Sequence, residues 1–464
     1  MSFAIRSPWG REKTRCCILE VLNLYKERKE EEIMEKTRRD FLTIAGGAAL
    51  GAGTMLTGLD KGKVYAAPPK GVPKDPVKIG VLAIQAGVAA VVGTAGWRAC
   101  QIWRDQVNAA GGILGRKVEL HLEEESSAKD TVEKFKKLTL QTKVDVISGG
   151  ISTGNGQAIG PIAEQLGQLW LSWDATTQKG LEETMPKMEY GFRSVYNELE
   201  AVAGALMTAK YFPEVITVAG INNDYSYGRN CWEAYLTVLK YFHPEVEPVE
   251  ALWPKLGVTD FTSHIAALNK ARPDLIMTSF WSGDTTIFLK QAAGVGLFDK
   301  LKGCFTTGGG VHDTLKKTFT PEGLILGYNS YYFRWTDAWP LNTKFVKTYV
   351  SKYKEYPPYE CDHAYFTLQA YKAAVEKCYA VTGTWPTKKQ IATALRGISV
   401  PTPSGYRGYR EDNYQICNFF MGITTHDNPY DFVTVKPVEI FTPVQTMHPA
   451  DMKFHEWIKS WEKL

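Results

Sequence analysis

The sequence is short of three things: cysteine pairs at informative spacing, an excess of one charge, and the local motifs of catalysis. Of eight cysteines in 464 residues, Cys16 and Cys17 fall near the N-terminus, and Cys100, Cys231, Cys304, Cys361, Cys378 and Cys417 are scattered without a CxxC. If Cys361 to Cys378 is one helix, its ends lie roughly 25 Å apart, so that pair cannot bridge. The remaining thiols are expected to act as small buried apolar groups. The formal charge of +4 is almost cancelled once residues 1–66 are set aside: of 54 basic and 50 acidic residues, 12 and 9 lie there, leaving 42 and 41. No basic stripe remains, and the 13 Trp, 23 Tyr and 20 Phe are not interleaved with Lys/Arg runs. Nucleic-acid binding is therefore not expected. GxSxG, P-loop and HExxH patterns are absent, and the eight histidines are dispersed. Neither an activated nucleophile nor a metal cluster assembles from local spacing, so the chain is not expected to be an enzyme or to need a cofactor. His121 before Glu123-Glu124-Glu125 is read as a strand running into a solvated acidic loop.

What is present begins with an address. Thr37-Arg38-Arg39-Asp40-Phe41-Leu42 precedes a Gly/Ala-rich apolar run, Thr43 to Leu59, and then the small residues of Val64-Tyr65-Ala66-Ala67. This resembles a twin-arginine export signal, which implies recognition by the twin-arginine machinery, cleavage near Ala66 and a periplasmic destination. The run is too glycine-rich to make a good membrane span. Residues 1–33 lie upstream, and Met34 is an ordinary start for such a signal, so residues 1–66 are read as leader. Pro68-Pro69-Lys70-Gly71-Val72-Pro73 reads as part of a tether, residues 67–75.

From Val77 onward, short β-rich runs alternate with helical stretches. Val77–Ala83, Lys117–Leu122, Val144–Ser148, Gln168–Trp173, Val215–Gly220, Pro248–Trp253, Leu275–Phe280 and Gly303–Thr307 are strand candidates. Such alternation predicts an α/β fold with parallel sheets covered by helices on both faces. About ten strands are too many for one ordinary sheet, so two doubly wound lobes are expected. Ligands then belong beyond the carboxyl ends of strands, at loops leading into helices. The last third is less regular, with helices from Cys361 to about Val381 and from Lys388 to Leu395, and a β-like run Asp431 to Ile440.

Asn108-Ala109-Ala110-Gly111-Gly112-Ile113-Leu114-Gly115-Arg116-Lys117, Phe192-Arg193-Ser194, Asp224-Tyr225-Ser226-Tyr227-Gly228, Lys290-Gln291-Ala292 and Gly323 before an apolar run together resemble the branched-chain amino-acid-binding branch of type I periplasmic binding proteins. The resemblance covers about Val77 to Tyr409. It implies two parallel-sheet lobes joined by three hinge crossovers, with lobe 1 made of 76–197 plus 330–412 and lobe 2 of 198–329 plus 413–464. It also implies a small organic ligand in the cleft, delivered to the permease of an ABC transporter. A sensor feeding a signalling partner is the rival reading.

Residue by residue, the family pattern marks Ser152 and Thr153, whose hydroxyls and helix N-terminus suit an acceptor on the ligand, although either can simply cap its own helix. Ala175 and Thr176 match the second ligand loop, where Trp173 and Asp174 replace the family's frequent proline and glycine and bring an aromatic ring and a charge near the cleft. Tyr227 and Trp281 match aromatics that face ligand, against the plainer reading of buried packing. Gly309, within Gly308-Gly309-Gly310, stands where amino-acid-binding relatives carry the acid that pairs with an α-ammonium group. With that anchor gone, an organic or aromatic acid or an amide-like solute is expected ahead of a branched-chain amino acid, unless Asp174, Asp284 or Asp313 supplies the charge.

Overall fold

A computed structural model of the chain describes residues 67–175, 177–185, 187–193, 197–335, 339–449 and 452–461. The expected leader, with its paired arginines and Met34, lies outside the described residues, as does Thr176. No helix among the described residues is long and apolar enough to cross a membrane.

The first sheet is built from β1 (Val77–Ala83), β2 (Val118–Glu124), β3 (Val146–Gly149), β4 (Trp170–Ser172) and β5 (Gly191–Arg193), ordered β2-β1-β3-β4-β5. Every pairing in it is parallel. β1 is apolar along nearly its whole length because both faces are covered, and all its residues but Lys78 are buried. Helix Ala90–Ala109 packs on it and also against helix Tyr359–Thr382. Residues from the last third thus complete the first lobe.

The second lobe holds β6 (Thr217–Ile221), β7 (Glu247–Leu252), β8 (Leu275–Thr278), β9 (Gly303–Thr306) and β10 (Ile325–Gly327). After a small sheet of β11 (Ser399–Thr402), β12 (Gly405–Tyr409) and β13 (Gln415–Ile416), the chain returns with β14 (Phe419–Thr425) and β15 (Thr434–Phe441). The order is β15-β14-β10-β9-β8-β6-β7. Its β7-to-β10 part is parallel, but β14 and β15 pair antiparallel, which corrects the expectation of purely parallel lobes. The reason is local connection: β14 and β15 are joined by a short loop, and neighbours joined that way must run antiparallel.

The chain passes between the sheets three times, after β5, β10 and β13. β14 and β15 join the second sheet, whereas the final helix, Phe454–Trp461, packs on both Ser226–Phe242 and Gln178–Thr184. Cys100, Cys231, Cys304, Cys361 and Cys417 are buried free thiols, and Cys378 is a half-buried one.

Candidate functional site

The site grows from the strand ends of both sheets. At the end of β3, Gly149 and Gly150 have φ of 122° and 97°. A Cβ on Gly149 would sit 2.0 Å from Leu82 O, so only glycine lets the chain turn there. The Gly150 carbonyl then accepts from the Asp174 and Ala175 N–H groups, both at 3.0 Å, and this fixes the loop after β4. Helix Thr153–Leu166 starts beside that loop. Glu125, just after β2, ties down the turn that enters it, accepting from Ile151 N (2.8 Å) on one carboxylate oxygen and from Ser152 N (2.7 Å) and Asn155 Nδ2 (2.9 Å) on the other.

Across the cleft, Glu200 sits in the first turn of helix Asn197–Tyr211. Its carboxyl accepts from the Asn329 backbone N–H at 3.0 Å and from Asn329 Nδ2 at 3.1 Å. A Cβ on Gly327 would lie 2.3 Å from Glu200 Oε1, so that glycine makes the cradle the carboxyl occupies. Trp281, two residues beyond Ser279 after β8, donates its Nε1–H to Tyr225 Oη at 2.8 Å, and the Tyr225 and Tyr227 rings are 5.8 Å apart.

These parts meet at a cleft lined by Ile151, Thr153, Asp174, Glu200, Tyr225, Tyr227, Trp281, Asn329 and Tyr359. Of the residues marked from sequence, Thr153, Tyr227 and Trp281 are in the lining. Ser152 is beside it, with its N–H spent on Glu125 and no side-chain cap bond. Ala175 is turned into the helix, where a Cβ on Gly156 would come within 2.6 Å of its methyl group. Gly309 is pressed on β10, with a notional Cβ 2.4 Å from Gly327 O, so this glycine serves close backbone packing rather than contact with the cleft.

One expectation needs correcting. Trp173 is fully buried, donates to Ser148 Oγ at 2.8 Å and covers Gly96, so it contributes nothing to the cleft. Of the acids named as other sources of charge, Asp174 lines the cleft, where Glu200 joins it. Asp284 does not line it: it is buried and accepts from Asn223 Nδ2 and Gly257 N, both at 3.0 Å. Sequence reasoning missed Glu200, Tyr225, Asn329 and Tyr359. It also missed Glu360 and His363 just behind, although the Glu-x-x-His spacing on one helix face was a usable signal.

The electrostatics are lopsided. Among the described residues no Lys or Arg is in the lining, while Asp174 and Glu200 both are. Burial pushes the Glu200 carboxyl up to about 8, the Asn329 hydrogen bonds only partly opposing it, and Asp174 adds repulsion. Burial likewise lifts Glu125 to about 7 against its three donors. Burial also acts to raise Asp174, but His363, a hydrogen bond with Glu360 and the charge of Arg193 more than offset it and hold Asp174 below the usual carboxylate range. Glu360 goes the other way, raised well above that range by burial and by Asp174. The pair shares what two adjacent buried acids cannot both give up.

The chain matches the sequence profile described as periplasmic binding protein over residues 76–422. A Brucella melitensis protein named Leu/Ile/Val-binding protein homolog 8 is 26% identical over 388 residues, covering 78% of this chain and 90% of its own length. Among solved structures, a Rhodopseudomonas palustris BisB5 solute-binding protein of an ABC transporter, in complex with 3,4-dihydroxybenzoic acid, superposes with a TM-score of 0.69 at 19% identity. That alignment covers 79% of this chain and 97% of the other. A leucine-binding protein from Thermotoga maritima MSB8 gives 0.65 at 18% identity, covering 79% and 99%. At such identities the two structures speak for the fold, and the profile for the lineage: the chain belongs to the periplasmic binding protein family, whose members carry solutes rather than transform them.

Proposed function

We propose that the cleft captures a small nitrogen-bearing solute, an amide or amine with an apolar or aromatic body, and that the closed protein hands it to the permease of an ABC importer. The observation that carries this is the pair of acids, Asp174 and Glu200, set among Tyr225, Tyr227, Trp281 and Tyr359 with no basic residue among those described in the lining. N–H donors on a solute would find acidic oxygens in a low-dielectric space, where hydrogen bonds to a charged acceptor are strong. A carboxylate would meet Asp174, an acid held in its charged form in the lining, and a like charge in a buried cleft is repelled. The aromatic walls suit a flat or cationic body.

Among the alternatives read from the sequence, the amide-like solute therefore moves ahead of the organic acid, and an amino acid with its ammonium on Asp174 is a member of the favoured class. Thermal-shift measurements on protein stripped of carried-over ligand and metal should show amides, amines or amino acids stabilising the chain by about 2.7 kcal/mol at a hundredfold excess over Kd. Asp174→Asn should abolish the response. A panel in which only aromatic and aliphatic acids stabilise the protein would overturn the reading. The reading also includes export of the folded chain by the twin-arginine route, so Arg38→Lys with Arg39→Lys should leave precursor in the cytoplasm. Unchanged export of that double variant would refute it.

A further inference from the structure

Behind the acidic wall of the cleft, Asp174, Glu360 and His363 bring one donor atom each to within 4.8 Å of one another, all three residues being buried. His363 Nδ1 lies 3.1 Å from Asp174 Oδ1 and 3.5 Å from Glu360 Oε2. Around a cation with bonds of about 2.0–2.2 Å, neighbouring donors of a tetrahedral or octahedral shell are about 2.9–3.6 Å apart. The two measured edges fit that shell. Glu360 supplies the second observation: it has no exposed surface, and its carboxyl is directed at Asp174 and at His363 Nδ1, so the side chain is aimed into the trio.

The other ring nitrogen of His363 is held from outside the trio, with Ser330 Oγ 2.7 Å from Nε2, and Ser330 is fixed in turn by its N–H to Asn329 Oδ1 at 2.8 Å. When Nε2 carries the ring proton, the Nδ1 lone pair faces both carboxyls, the arrangement that outer partners impose on metal-bound histidines. Glu360 and His363 stand one turn apart on helix Tyr359–Thr382, so the backbone presents them together. Access is available, since Asp174 and Tyr359 line the cleft itself.

We propose that Asp174, Glu360 and His363 form a divalent-cation site at the back of the cleft, with one nitrogen and two oxygen donors suited to zinc or manganese. The donor set is borderline-hard, which fits those ions better than copper(I) or other thiophilic metals. The site stands on the trio's geometry and needs no assumption about the solute. Asp174 belongs to both, so a bound ion makes the wall less negative and alters which head groups the cleft accepts.

The test uses the whole purified chain, stripped with a chelator and free of solute, titrated with Zn²⁺ by calorimetry and with Co²⁺ by visible absorption. One ion per chain is expected, with a d–d spectrum for cobalt. Glu360→Gln should weaken zinc at least 100-fold, and Ser330→Ala, which leaves every donor atom in place, about 10–100-fold. Near-UV circular dichroism checks that each variant keeps its fold, and Ser330→Ala carries the test if Glu360→Gln does not. Failure of stripped wild-type protein to take up either ion would overturn the site, as would unchanged affinity in Glu360→Gln and His363→Gln. Because no solute is present, neither outcome bears on the solute reading.

Discussion

At the scale of single residues, the cleft depends on side chains that are held rather than merely present. Trp281 is 6% exposed and tied by its indole N–H to Tyr225, so one aromatic orients another and both keep their faces toward the space between the lobes. Removing the indole takes away a wall and leaves the Tyr225 hydroxyl without its donor. Trp281→Ala is expected to cost about 2 kcal/mol of solute binding, roughly 30-fold in Kd, as truncation of a buried aromatic anchor does. Calorimetric titration with whichever solute the screen identifies reads this directly, and an unchanged Kd would remove Trp281 from the site. Thr153, Tyr227 and Trp281 could be marked from the sequence because each directly follows a strand or opens a helix. Glu200 and Tyr359 could not, because their helices look like any others until the crossovers bring them to the cleft.

At the scale of elements, the start of helix Thr153–Leu166 is the clearest case of one element finishing another. A helix begins with unpaired N–H groups, and Ser152 makes no side-chain cap bond here. Glu125, which follows a neighbouring strand, pins the turn into the helix with both carboxylate oxygens. Glu125→Ala should therefore strand the Ile151 and Ser152 N–H groups and lower stability by about 1–3 kcal/mol. Urea unfolding monitored by far-UV circular dichroism would register that loss as a lower midpoint, and an unaltered midpoint would contradict the pinning role. Spacing along the chain marks this junction but not the distant carboxyl that arrives to hold the turn.

At the scale of the whole molecule, burial of acids and closure of the lobes set the behaviour. Glu200 keeps its proton up to about pH 8 in the folded chain, against an ordinary value of 4.5. Between those values the folded state binds a proton that the unfolded chain has released, so its contribution to stability is full below about pH 4.5 and is lost as pH rises through 8. Thermal unfolding across that window should show Tm of the wild type falling relative to Glu200→Gln, which keeps the shape and does not titrate. Parallel curves for the two proteins would exclude this role.

Closure depends on close approach: Gly283 donates its N–H to Val88 O at 3.3 Å, and a Cβ there would come 2.7 Å from Val88 Cγ2. Val88 precedes the first-lobe helix Ala90–Ala109, and Gly283 opens a second-lobe helix, so this contact exists only with the lobes together. Hinge closure is driven by a ligand that touches both sides. Gly283→Val should hold the lobes apart, weaken solute binding and leave unfolding stability nearly unchanged. Small-angle scattering with saturating solute should show compaction in the wild type and less in the variant, and equal compaction would deny the contact any part in closure.

The sequence by itself determined the alternation of strand and helix, hence two sheets and the strand-end positions where a cleft must form. These follow from local periodicity, which needs no knowledge of distant partners, while the family was legible only through the resemblance of its ordered motifs. It also carried β1 and helix Lys388–Leu395 to their observed limits, because the local pattern of apolar and turn residues is unbroken there. Tertiary structure alone decided that Asp174 meets Glu360 and His363, that Glu200 faces the same space, that Trp173 turns inward and that three glycines serve packing against β10 and Tyr359 rather than absence of a charge. In each case the deciding quantity is a distance between residues far apart in sequence, or the cost of burying a charge beside another. Both come into being only when the two lobes have folded and closed on each other.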